Sequence, residues 1–198
     1  MSLETLEQMK KLDLQDLSLQ LALQCAPLLA GLKCSNLLIT DKNQVRDMKK
    51  RLEGSDISFR LWMAKGNRLT WFFFREKSLE NYVAQSDVSE YFTKCGYSDL
   101  SLNSILSRCA YAYRQHQEGL APFPHEMGLL LGYPLEDVEG FVKNQGKNYL
   151  YAGYWKVYEK LPEKVKLFKH YERAKEYLVC RVLGGCSPKQ MIHLAKPA

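Results

Sequence analysis

Hydrophobic and polar positions follow two periods along this chain. Over residues 3–30 the period is helical: Leu14, Leu17, Leu21 and Leu28 recur on helical spacing, and Pro27 and Gly31 mark the end. Lys33 to Thr40 is a short strand around Ser35-Asn36-Leu37-Leu38-Ile39. Asp41 caps a helix from Lys42 to Leu52, which Gly54 stops. The period then drops to two. Ile57, Phe59, Leu61 and Met63 alternate with Ser58, Arg60, Trp62 and Ala64, and Leu69 to Arg75 is a second extended run. With Gly66-Asn67 as a two-residue turn, 57–75 reads as a β-hairpin. That loop sets Lys65 opposite Arg68, Trp62 opposite Trp71 and Arg60 opposite Phe73. Phe59, Leu61, Met63, Phe72 and Phe74 then share one face. Arg60, Trp62, Trp71, Phe73 and Arg75 share the other.

Helical spacing returns over 77–118, with a break near Gly96-Tyr97. Leu102, Ile105, Leu106, Cys109, Ala110 and Tyr113 form its apolar stripe. Tyr149 to Tyr158, rich in Tyr, Trp and Val, reads as a strand that Gly153 weakens. Pro162 opens a long helix with Val165, Phe168, Tyr171, Ala174, Leu178 and Val182 inward. Gly184-Gly185 ends it, and Ser187-Pro188 starts a short last helix. The fold expected is α+β, helix-rich, with a small sheet. The sheet holds the 57–75 hairpin and the 34–40 strand, with room for the 149–158 strand. No long linker or low-complexity run interrupts the chain, so residues 1–198 are expected to form a single domain.

Phe123-Pro124-His125-Glu126 and Tyr133-Pro134-Leu135-Glu136 repeat the pattern aromatic-Pro-x-Glu, ten residues apart. Proline suits a first helical turn, and a glutamate just after it complements the helix dipole. The segment reads as two short helices, the first from Pro124 to Gly132 and the second ended by Gly140 or Gly146. The spacing also fits a helix-turn-helix, with Gly128 as the small residue, Gly132 at the turn and Val138 and Phe141 inward. Its charge argues against reading DNA. Phe123 to Val142 holds Glu126, Glu136, Asp137 and Glu139 and no Lys or Arg, while DNA binding draws on phosphate neutralisation. Glu136 and Asp137 read as solvated surface.

Composition narrows the classes further. With 46% hydrophobic and 25% charged residues, the chain can bury a core without disulfide or metal. No apolar run of transmembrane length occurs, and Met1-Ser2-Leu3-Glu4 does not open a secretory signal, so a cytoplasmic location is expected. The six cysteines, Cys25, Cys34, Cys95, Cys109, Cys180 and Cys186, contain no C-x-x-C pair. A reduced state is expected, with Cys25, Cys109 and Cys180 buried as small hydrophobes. Charge falls in blocks. Residues 42–75 carry nine basic against three acidic side chains, 76–142 four against ten, and 143–189 eleven against four. The two basic blocks can join into one cationic face or neutralise the acidic block between them.

The chain carries no phosphate-loop, dinucleotide, nucleophile-elbow or H-E-x-x-H pattern, so no cofactor or metal is indicated. His116, His125, His170 and His193 are far apart in the chain. His125, at the expected helix start, sits where free backbone N–H groups favour bound anions. The alternative is a capping residue. His125 and Glu126 diverge by about 100° on a helix and form no dyad.

The run Phe123-Pro124-His125-Glu126-x-Gly128-Leu129-x-Leu131-Gly132-Tyr133-Pro134-Leu135-Glu136-Asp137-Val138-x-Gly140-Phe141 is followed by Gly146-Lys147-Asn148-Tyr149 and Gly153-Tyr154-Trp155-Lys156-Val157-Tyr158. It resembles an uncharacterised, mostly clostridial family, domain of unknown function number 3793. The resemblance implies a bacterial, intracellular, single-domain protein and no particular activity. It also joins the helix pair to the Tyr/Trp segment. A pocket is therefore expected near His125 and Glu126, with Asn148, Tyr149, Tyr154, Trp155 and Lys156 around it, suited to a small anionic or aromatic ligand. The first function class is a binding or regulatory module for a small ligand or protein partner. The second is a small enzyme around His125. The third is nonspecific nucleic-acid binding through segments 42–75 and 143–189, with Arg60, Trp62, Trp71 and Arg75 as its basic, aromatic face. Sequence-specific DNA and membranes are not expected partners.

Overall fold

A computed structural model describes residues 16–185. The fold is helix-rich α+β, and its contacts divide the chain into two compact units. One comprises residues up to Phe74 together with those from Leu167 on; the other is Arg75–Lys166. No helix among the described residues is long and apolar enough to cross a membrane.

In the first unit, α1 (Leu17–Leu29) starts where Asp16 Oδ1 accepts from Leu19 N at 3.0 Å. Leu17, Leu19, Leu21, Ala22, Cys25, Leu28 and Leu29 are all buried, as expected of a helix that is apolar on most of its circumference. Residues 3–15 of the expected first helix lie outside the described residues, as do Cys186, the Ser187-Pro188 helix and His193. β1 (Ser35–Asp41) runs into a short 3₁₀ turn, Lys42–Gln44, and then α2 (Val45–Leu52). Gln44 Oε1 accepts from Asp41 N at 2.8 Å across that start. β2 (Ile57–Lys65) and β3 (Arg68–Arg75) form the expected hairpin about Gly66-Asn67, and the sheet order is β1-β3-β2.

The hairpin faces differ from expectation. Trp62 stacks on Phe72, with ring centroids 4.5 Å apart and planes 12° apart, while Phe59 meets Trp71 and Phe73 edge-on. Trp62, Phe72 and Phe74 therefore share one face, and Phe59, Trp71 and Phe73 the other. This sharing of faces is not the one that the loop length implies. A slip of one residue exchanges the two faces of a strand. Leu38, Trp71, Phe73, Ile57 and Leu69 pack with α1 in one core. There β1 pairs antiparallel with β3, Leu38 opposite Trp71. Buried Trp71 donates its indole N–H to Thr40 Oγ1 at 3.0 Å. Leu61 is 46% exposed.

In the second unit, α3 (Glu76–Val83), α4 (Ser86–Lys94) and α5 (Leu102–Gln117) occupy the segment read as helical. The break near Gly96 is present, with Gly96 at φ +84°, and a further break falls at Ala84-Gln85. Leu102, Ile105, Leu106, Cys109 and Ala110 bury the expected stripe of α5. The first helix of the Pro/Glu pair begins later than expected: α6 is the single turn Met127–Leu130, followed by α7 (Leu135–Lys143). Gly132 (φ +71°) turns the chain between them, and Gly146 (φ +71°), not Gly140, closes α7 through Gly146 N to Phe141 O at 2.9 Å.

The 149–158 segment is no single strand and does not join the main sheet. It folds into a small separate hairpin, β4 (Tyr151–Ala152) against β5 (Lys156–Val157), because the chain reverses at 153–155, where Gly153 N bonds Trp155 O at 3.0 Å. α8 (Leu161–Leu183) carries Pro162 in its first turn. Phe168, Tyr171 and Leu178 are buried on it. Cys180 is exposed instead of buried, since Leu178 and Val179 take the inward positions of that turn.

Candidate functional site

The sequence-marked residues of the second unit meet around a cavity of about 320 Å³. Its shape begins with two glycines. A Cβ on Gly128 would stand 3.0 Å from Val138 Cγ2 and 3.3 Å from a Tyr133 ring carbon, so α6 and α7 approach as closely as they do only at glycine. On α7, a Cβ on Gly140 would stand 2.5 Å from Tyr158 Cγ. Tyr158, just after β5, thus lies directly on the helix backbone and brings the hairpin with it. Tyr82 Oη donates to Tyr133 O at 2.7 Å and secures the turn between α6 and α7.

Four of the expected residues line this cavity: His125, Tyr154, Trp155 and Lys156. Trp155 stacks on Tyr133, centroids 5.0 Å apart and planes 28° apart, to make one flat wall. His125 lies between Phe123 and Phe141, at 5.5 and 5.4 Å centroid to centroid. Lys156 Nζ donates to Gly146 O at 2.7 Å and sits above the rings of Tyr149, at 4.9 Å, and Phe141, at 5.6 Å. The walls are otherwise apolar apart from Asp137. Among the described residues the His125 ring has rings and no hydrogen-bond partner beside it.

The other expected residues stand apart. Glu126 does not line the cavity; its Oε1 accepts from Tyr97 Oη at 3.0 Å and anchors the His125 turn to the residues after α4. Burial first, and then the nearby Cys109 and Glu126, push the Tyr97 hydroxyl well above the usual tyrosine range. Tyr149 serves as a ring beneath Lys156. Asn148, at φ +56°, lines a second, more polar hollow of about 570 Å³ with Tyr158, Glu136 and Glu139. Two of the backbone amides of this turn are taken within the chain, Met127 N by Pro124 O and Gly128 N by His125 O, and α6 is only one turn long. His116 reaches the site unexpectedly: its ring meets Phe123 edge-on at 5.2 Å. His170 is exposed on α8.

Asp137 is the residue that the sequence reading missed. Expected as solvated surface, it is buried. Its Oδ2 accepts from Trp155 Nε1 at 2.7 Å, its Oδ1 from Tyr158 N at 2.8 Å and Glu159 N at 3.3 Å, and Lys164 Nζ lies 3.4 Å away. One carboxylate thereby holds the cavity wall, the end of the hairpin and the start of α8. Beside it, Glu136 is half-buried, bonded to Lys164 at 2.8 Å and Lys160 at 3.2 Å. Burial alone would raise its pKa, but the two lysines and the backbone outweigh burial and hold it at about 2. The available signal was Gly140, three residues after Asp137, since a glycine inside a helix marks a close approach.

The basic, aromatic face does not assemble. Trp62 and Trp71 are 1% and 7% exposed and belong to opposite faces of the sheet. Arg60 lies over Phe74 at 5.8 Å, on the Trp62 side. Arg75 closes β3, half-buried, at the start of the second unit. Among the described residues no group of three or more His, Cys, Asp or Glu side chains is placed to hold a metal ion.

In comparisons with known proteins, a family model described as protein of unknown function, DUF3793, matches residues 21–192. No curated protein and no solved structure matches the chain.

Proposed function

The chain belongs to the DUF3793 family of proteins of unknown function, and we propose that it is a binding module whose cavity beside α6 and α7 takes a small, flat, largely apolar ligand. The observation that carries this reading is the lining. Stacked Tyr133 and Trp155 face an apolar space of about 320 Å³, and His125 lines the same space between Phe123 and Phe141. Small-molecule sites are mostly apolar hollows of roughly 300–1,000 Å³ with a few directed polar groups. This one falls at the small end, which suits one or two fused rings. A neutral imidazole offers one donor and one acceptor, enough to orient such a ring by its polar edge.

The test is a titration of the protein with one- and two-ring aromatic compounds, read by tryptophan fluorescence and by thermal shift. The wild type is expected to be stabilised and its fluorescence to change, since Trp155 forms the wall. Leu131→Trp, which fills the cavity, and His125→Ala are expected to weaken both responses. If no compound alters the wild type, or if Leu131→Trp binds as well as the wild type, the reading fails.

A further inference from the structure

We propose that the ligand carries a single negative charge, as an aromatic carboxylate, and sets it against Lys156; the inference rests on the cavity reading above. Lys156 enters the lining from β5. An ammonium carries three donors. One is used, in the 2.7 Å bond to Gly146 O. The rings of Tyr149 and Phe141 lie close to the charge and hold it in place, but a ring quadrupole is no counter-ion. Among the described residues no carboxylate pairs with Lys156. Two donors and the positive charge therefore have no acceptor among the described residues, on a half-buried side chain that lines a largely apolar space.

The one acid in the lining does not answer that charge. Both oxygens of Asp137 are taken, by Trp155 Nε1 and by the backbone N–H groups of Tyr158 and Glu159, and its ion pair is with Lys164. Glu136 is likewise held by Lys164 and Lys160. Neither acid thus serves as a counter-ion to Lys156, and attraction between opposite charges strengthens as a ligand displaces water from between them. A single lysine, with no arginine fork beside it, suits a monoanion better than a phosphate dianion, which draws several charge-assisted bonds. The stacked wall of Tyr133 and Trp155 asks for a flat body behind that group.

Calorimetric titration of the wild type with benzoate and naphthalene-2-carboxylate, each beside its neutral carboxamide, tests this. The carboxylates are expected to bind at least about tenfold tighter than the amides, a difference of one decade in Kd. Lys156→Met keeps the apolar stem and is expected to abolish the preference, so that acid and amide bind alike. Lys156→Arg is expected to keep the preference. If the methionine variant does not fold, Lys156→Gln, which retains a donor for Gly146, takes its place. Equal binding of acid and amide by the wild type overturns the anion inference and leaves the cavity reading standing. A preference that survives Lys156→Met also overturns it. If neither acid nor amide binds, both fall.

Discussion

Asp137 and Gly140 show how much one turn of helix decides. Asp137 ends its side chain among two backbone N–H groups, an indole N–H and an ammonium. Removing the carboxylate leaves Lys164 with Glu136 alone and strips three donors of their acceptor. Asp137→Ala is expected to cost roughly 3–5 kcal/mol, the range for breaking one side of a buried pair, read as a lower urea midpoint with unchanged slope. Gly140→Ala tests the contact on the same helix. Its added methyl would overlap the Tyr158 ring, and a loss of about 1–3 kcal/mol is expected from overpacking. Neither position was legible as part of a site. Glu136 and Asp137 stand just after Pro134, where acids usually face water and the helix dipole, and only the arrival of Trp155 and Tyr158 from a distant segment buries one of them.

Elements form where local chemistry is strongest. α5 begins at Ser101, whose side chain accepts from Ser104 N at 3.3 Å, so Ser101→Ala is expected to lower thermal stability by about 0.5–2 kcal/mol. α7 and the start of α8 are tied through Glu136, with Lys164 and Lys160. Its pKa in the folded protein, about 2, is below the roughly 4.3 of an unfolded glutamate. The folded state therefore binds fewer protons in that window. The contribution of Glu136 is full above the unfolded value and is lost as pH falls toward 2. Urea unfolding followed from neutral pH down to pH 2 is expected to show this slope, and Glu136→Gln is expected to flatten it. Elements also show where local chemistry stops. The 57–75 hairpin was legible from alternation and Gly66-Asn67, but its faces were not. A strand with large apolar residues on both sides, such as Leu69 to Phe74, carries no period that fixes its register.

At the scale of the whole chain, the +6 net charge is distributed by the fold rather than by the sequence blocks. The basic block 143–189 is divided: Lys143, Lys147, Lys156, Lys160, Lys164 and Lys166 belong to the second unit, and Lys169, Arg173, Lys175 and Arg181 to the first. Within the second unit, Lys164 and Lys160 pair with the acidic block and Lys156 lines the cavity. The first unit depends on its own core, where Leu38 is fully buried among α1 and the sheet. Leu38→Ala is expected to cost roughly 2–5 kcal/mol in urea unfolding, from lost burial and the void it leaves. The sequence by itself determined the kinds of element and most of their ends: the hairpin, the stripe of α5, the breaks at Gly96 and Gly132, and Pro162 at the start of α8. Those follow from spacing, caps and glycine conformation, which are local. It also marked His125, Tyr154, Trp155 and Lys156. Only the tertiary structure decided that these four share a cavity, that Asp137 is buried behind them, that Trp62 and Trp71 part to opposite faces, and that Lys156 has rings and a carbonyl for neighbours instead of a carboxylate. Such facts depend on which distant segments pack together, and a local period does not carry that information.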